Sequence, residues 1–327
     1  LEFRRVLFRS FLKNISPYLV EGSSIAVTKR KHPLSSGISI MLKGSQPTDS
    51  GYLLLDTHER EQLLNVEPEA ITWIRPILGA TEFLHSVDRW CLWLEDATEG
   101  DISSMPELRK KVEAVKQFRL SSSKASTKKK AEIPHLFDEI RQPKNGEYIL
   151  VPRHSSERRS YIPLGFFDHE VICSDANLMI PDGTKYEFGV LSSLMHNDWM
   201  RVVTGRLKSD YNYSGTLVYN TFPWPQASAD AQADITELAK NILRARASNS
   251  GKTLAELYDP DKMPDNLRQA HQALDAAVDK LYRDKPFSDG LERVEHVFGL
   301  YEKLIAAEQH EAENKANAKQ GRLKEKA

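Results

Sequence analysis

"GRLKSDYNYSGTLVYNTFPWP", residues 205–225, mixes basic, acidic, amide and aromatic side chains and then halts at two prolines. Successive side chains of an extended chain point to opposite faces. Arg206, Lys208, Asp210 and Asn212 are therefore expected on one face, with Leu207, Ser209, Tyr211 and Tyr213 on the other. A row of two cations, an anion and an amide suits neither a core nor a uniformly charged solvated surface. Pro223 and Pro225 close the segment, and the texture of the chain changes beyond them.

After the prolines, apolar residues recur at helical spacing. Ile235, Leu238, Ile242 and Leu243 form one stripe; Leu267, His271, Leu274, Val278 and Leu281 a second; Leu291, Val294, Phe298, Tyr301 and Ile305 a third. "LYDPDKMPDNL" (257–267) connects the first two. From Ile25 to Pro225, by contrast, short apolar runs alternate with Gly, Pro, Asn and Asp, which predicts strands and loops. These include "SGISIML" (36–42), "GYLLLD" (51–56), "RWCLWLED" (89–96), two strands around a basic loop in 146–167, and another in 168–181. Within them, Thr57 is expected to cap a short helix. Pro106 should open a helix whose Leu108, Val112, Val115 and Phe118 share a face. "FGVLSSLMHNDWMRVV" (188–203) reads as one amphipathic helix that buries Phe188, Leu191, Leu194, Met195, Trp199, Val202 and Val203.

The expected fold class is α+β: a β-rich mixed domain at 25–225, then a small α-helical bundle at 226–309. Residues 1–24 are expected to be a junction from an upstream domain, with the first ten from cloning or assembly. Residues 310–327 form a charged tail, expected to be frayed or disordered.

Net charge is −1 over 327 residues, so any nucleic-acid binding must come from a local basic face. The two cysteines, Cys91 and Cys173, form no Cys-x-x-Cys pair and share no ligand spacing with the ten histidines. They read as reduced thiols of a cytoplasmic protein, with no metal site and no membrane span.

No Gly-rich phosphate loop and no Gly-x-Ser-x-Gly elbow is present. His196 and Asp198 are two apart on a helix and do not face each other, so Ser192, His196 and Asp198 are a poor nucleophile set. The basic segment "VPRHSSERRSYIP" (151–163) carries Arg153, Ser155, Ser156, Arg158, Arg159 and Tyr161. These residue types commonly donate to phosphate oxygens, although a charged surface loop would look the same. "KASTKKK" (124–130) is a mobile linker or a clamp on a phosphate backbone, the linker being favoured.

Residues 206–212 carry a sharper pattern. In the DNA major groove guanine shows two acceptors, N7 and O6, and its cytosine partner shows an N4 donor. Lys208 donating and Asp210 accepting could reach both members of one G·C pair. Asn212 suits a neighbouring adenine, and Arg206 a phosphate. A surface ion pair on a strand is the competing account.

The series "IRPILGATEFLHSVDRWCLWL" (74–94), "FDEIRQP" (137–143), "VPRHSSERRSYIPLGF" (151–166), "MHNDWMRVVTGRLKSDYNYS" (195–214), "VYNTFPWP" (218–225) and "LYDPDKMP" (257–264) resembles MmeI-like DNA methyltransferases. These are class I, S-adenosylmethionine-dependent adenine methyltransferases of combined restriction–modification systems. The resemblance runs from about Ile15 to Glu308 and covers only their C-terminal part, a target recognition domain and a helical domain. It implies that Lys208 and Asp210 act as a pair at one base position. It implies a second reading pair on Asn212 and Ala176, and backbone contacts from Arg153, Ser155, Ser156, Arg158 and Arg159.

The family's Gly-containing cofactor motif and Asn-Pro-Pro-aromatic catalytic motif do not occur in these residues. No cofactor or catalytic residue is therefore expected in this chain. S-adenosylmethionine is implied for a parent enzyme, and double-stranded DNA and an upstream methyltransferase domain are the expected partners. The competing expectations are an independent nuclease and a separate specificity subunit acting in trans.

Overall fold

Short apolar runs between polar breaks make short strands. The computed structural model, which describes residues 26–324, gathers them into three sheets. The expected junction at 1–24 lies outside the described residues. The central sheet runs Leu42–Lys43, Asn177–Pro181, Glu147–Pro152, Gly165–Asp168, antiparallel throughout. Tyr148, Ile149, Leu150 and Val151 are all buried. This strand is covered on both faces, and its sequence is accordingly a continuous apolar run rather than an alternating one. A second sheet orders Leu54–Leu55, Trp90–Leu92, Ile74–Leu78 and Ile172–Cys173, the last pair parallel. The smallest sheet joins Gly205–Leu207, Asp210–Asn212 and His154–Ser155. Only Arg153 separates Glu147–Pro152 from His154–Ser155, so the chain passes directly from the central sheet into the smallest one.

Helix and strand are mixed, as an α+β chain requires, and helices take a large share even before residue 225. The helix Thr57–Val66 is capped by Asp56 rather than Thr57: the Asp56 carboxylate accepts from Glu59 N while Glu59 accepts from Asp56 N. This reciprocal box satisfies two orphan donors where a threonine hydroxyl would satisfy one. Pro106 opens the helix Pro106–Ser121, with Leu108, Val112 and Val115 buried as expected. The free amides at its start are met from a distance. The buried Glu67 carboxylate accepts from Glu107 N and Leu108 N, a placement that the helix dipole also favours.

Residues 124–130, expected as a mobile linker, are instead ordered. Ala125–Lys129 is a helical turn followed by a 3-10 turn at Lys130–Glu132, and Thr127 and Ala131 are buried. The stretch ends against Arg119, which is fully buried. Its guanidinium donates to five backbone carbonyls, those of Pro47, Thr48, Lys130, Ile133 and Leu136.

Residues 188–203 form two helices, Lys185–Ser192 and Leu194–Val203, broken at an extended Ser193. Tertiary groups supply what the break exposes. Asn197 Nδ2 donates to Leu191 O and Ser193 O, and the Asp275 carboxylate accepts from Leu194 N at 2.7 Å. Phe188, Leu191, Met195, Trp199 and Val203 are buried as expected, whereas Leu194 and Val202 are half-buried.

Beyond Pro225 come Ala229–Ala247, Leu254–Leu257, Asp265–Tyr282 and Gly290–Lys324. One apolar core continues across this point, from Phe188 and Trp199 through Ile235 and Leu267 to Phe298 and Tyr301. The Trp199 ring lies 4.9 Å from Phe298 and 5.8 Å from Tyr301. Gly189 lets two helices meet: a Cβ there would come within 2.7 Å of Ile235 Cγ2. Leu291 departs from its stripe and is exposed. The charged residues after Gln309, expected to fray, continue the last helix to Lys324. Alanine, glutamate and lysine, all strong helix formers, dominate there. Among the described residues no helix is long and apolar enough to cross a membrane.

Candidate nucleic-acid interface

Residues 205–212 are a hairpin, not one extended strand. The chain reverses at Lys208 and Ser209, setting Arg206 opposite Tyr211 and Leu207 opposite Asp210. Cross-strand partners share a face of the sheet. Asp210 and Asn212 thus lie with Leu207, and Arg206 lies with Tyr211. The expected row of four polar groups is corrected accordingly: Arg206 turns to the other face and Lys208 occupies the turn. The Arg206 guanidinium stands 4.6 Å from the Tyr211 ring, donates to Ser209 O at 3.0 Å and reaches Glu157 at 3.3 Å.

Lys208 holds a φ of +56°. A two-residue hairpin turn with positive φ at its first central position ordinarily carries glycine there. A side chain in that conformation costs on the order of 1–3 kcal/mol and concentrates at functional sites. Lys208 and Asp210 are both exposed, and Asp210 accepts a long 3.4 Å bond from Glu157 N.

The hairpin is seated by its second strand. Tyr211 pairs with Ser155 and Asn212 with His154. Tyr211 and Tyr213 are buried, and Tyr213 bonds through its hydroxyl to His196 Nε2 at 2.9 Å. Arg153 links hairpin and central sheet: its carbonyl accepts from Tyr213 N at 2.7 Å, and its amide donates to Ala176 O at 3.4 Å. Ala176, half-buried in the loop between Ile172–Cys173 and Asn177–Pro181, and the strand carrying Asn212 are therefore both tied to the Arg153 backbone. The Arg153 guanidinium donates to Asp175 O at 3.1 Å. A cleft of about 410 Å³ opens beside it, lined by Lys29, Lys43, Arg153, Asn212, Ser214 and Thr216 among others. Asn212 Oδ1 is shielded from solvent and has no hydrogen-bond partner.

The other basic-loop residues divide. Ser155 is buried and its Oγ has no partner, so it is not presented to a phosphate; its burial follows from pairing with Tyr211. Ser156 is half-buried and accepts from Arg158 N. Arg158 is exposed and pairs with Asp261 at 2.5 Å, tying this loop to the connection at 257–264. Arg159 is half-buried. Burial lowers its pKa, and the nearby carboxylates of Asp210 and Asp259 oppose that shift.

Lys29 and Lys43 were not singled out in the sequence. The basic run "TKRKH" (28–32) is a signal for the first. Lys43 carried none: it reaches the cleft because Leu42–Lys43 pairs with Asn177–Pro181, and it is held by Asp175 at 3.3 Å.

Ser192, His196 and Asp198 do not assemble. Ser192 Oγ is buried without a partner, and His196 is bonded to Tyr213 and pushed down to about 3 by burial. Asp198 is paired with Arg201 and Arg293. Cys91 and Cys173 are free and buried, and burial raises both thiols well above their ordinary range.

The exposed hairpin is set on mixed sheets, and the helices complete the same core. The chain matches the MmeI target recognition domain over residues 21–226 and the MmeI C-terminal domain over residues 227–307, and it belongs to the MmeI family in that part. It is 38% identical over 296 residues to DNA methyltransferase A of Bacillus subtilis (strain 168), covering 90% of this chain and 33% of that protein. A solved structure of the Type IIL restriction–modification enzyme MmeI in complex with DNA is similar at a TM-score of 0.87 and 42% identity. That match covers 90% of this chain and 39% of the other. The chain therefore spans between a third and two fifths of the length of these relatives.

Proposed function

We propose that this chain reads duplex DNA through the major groove and positions a target adenine for an adenine-N6 methyltransferase domain outside it, acting in the cytoplasm. Lys208 donates to guanine N7 and O6, and Asp210 accepts from N4 of the paired cytosine. Asn212 and Ala176, both in segments tied to the Arg153 backbone, serve a second base position. Arg153, Ser156, Arg158, Arg159 and Arg206 serve the phosphates, joined by Lys29 and Lys43, and give affinity its salt dependence. S-adenosylmethionine belongs to the catalytic domain, which would flip the adenine from the stack.

The observation that carries this proposal is the turn at 208–209. It projects an ammonium and a carboxylate from a hairpin rooted beside a cleft with three basic side chains. The MmeI structure with DNA supports it by likeness. Selection of binding sites from a randomised duplex pool tests it. Lys208→Glu combined with Asp210→Arg is expected to exchange G·C for C·G at one position, with about 1–3 kcal/mol of discrimination. An unchanged selected sequence would refute the assignment.

A further inference from the structure

Leu207 is 60% exposed, belongs to none of the apolar clusters, and stands directly across the hairpin from Asp210. It precedes Lys208 and shares the Asp210 face, so a groove that receives one side chain receives the other. Among the described residues no apolar cluster takes up its isobutyl group. Tyr211, two positions past the turn, is already covered by Arg206 on the opposite face. The edges of base pairs in the major groove present one apolar group, the 5-methyl of thymine. Apolar wedges between base steps belong to minor-groove binders, whereas the donor and acceptor beside Leu207 match major-groove edges.

We propose that Leu207 packs on a thymine 5-methyl group at a base pair adjoining the one read by Lys208 and Asp210. It would be a specificity-determining residue that adds a thymine preference through shape alone. This rests on the hairpin entering the major groove as proposed above.

The test uses two randomised duplex pools, one with thymine and one with deoxyuridine in its place. The unaltered chain should enrich thymine at one position, and the uracil pool should lose about fourfold of that enrichment, the worth of one buried methyl. Leu207→Ala should show the same loss in the thymine pool and become indifferent to uracil, while Leu207→Met keeps the preference. Base choice at the Lys208 and Asp210 position should stay put in both variants. Equal enrichment of thymine and uracil by the unaltered chain, or a thymine preference retained in Leu207→Ala, overturns the proposal. The charge exchange at 208 and 210 separates the two failures. If it shifts one base while thymine and uracil remain equivalent, only the Leu207 contact falls; if it shifts nothing, the hairpin assignment falls with it.

Discussion

Two arginines, Arg119 and Arg206, divide the molecule. Arg119 is fully buried, and its five donors meet five carbonyls drawn from two loops. Arg206 lies in the open on the hairpin, with a carbonyl, an exposed carboxylate and a ring as company. A buried charge persists only where every donor is satisfied by the fold. An exposed one is held weakly by its neighbours and stays available to something outside. The same division runs through the carboxylates: Glu67 caps a helix from inside, whereas Asp210 stands in solvent with one long bond.

Three experiments break or sharpen that contrast. The largest effect is expected inside. Arg119→Met should cost on the order of 4 kcal/mol, because it strips partners from several buried carbonyls at once. Urea unfolding measures it; a loss below that of a surface substitution would show the carbonyls finding water instead.

The next concerns buried titrating groups. Burial pushes His196 and His271 down to about 3 from an ordinary 6.5. Below about 6.5 the unfolded chain therefore holds the extra protons, and stability falls as pH falls. Asp275 runs the other way. Burial is the first cause that raises its carboxyl to about 7, against bonds from Tyr161 and Leu194 that lower it. Its contribution is present in the ordinary carboxylate range and is lost as pH rises toward 7. These three groups by themselves contribute a loss on the order of 1.4 kcal/mol per pH unit on acidification from about 6 to 4, two against one. Asp275→Asn removes the opposing group and should steepen the loss by about 1.4 kcal/mol per pH unit, read from unfolding midpoints across pH; an unaltered slope would place Asp275 outside the balance.

The smallest effect belongs to the hairpin. Lys208→Gly relieves the positive φ, so stability should rise by up to about 1 kcal/mol while base choice at one position relaxes. A variant that loses stability would show the lysine to be structural.

Much of the fold was legible. Pro106 and the spacing of Leu108, Val112 and Val115 gave a helix, and the three apolar stripes after Pro225 gave three more, because helical periodicity is local. The hairpin was not. Its turn is Lys-Ser, without the glycine or asparagine that marks a reversal, so alternation across 205–213 imitated a single strand. The Ser193 break was hidden for a related reason: Asn197 and Asp275, one of them 81 residues from the amide it accepts from, satisfy it. Ser155 looked like a phosphate donor until its pairing with Tyr211 buried it.

The sequence by itself determined which segments are helical, where apolar runs must be buried, and which residue types could meet a base edge, since each depends on neighbours a few positions away. Only the tertiary structure decided which of those polar groups face outward. Arg119 and Arg206 are the same residue type, and what separates them is whether chain brought from afar surrounds the guanidinium with carbonyls or leaves it to solvent.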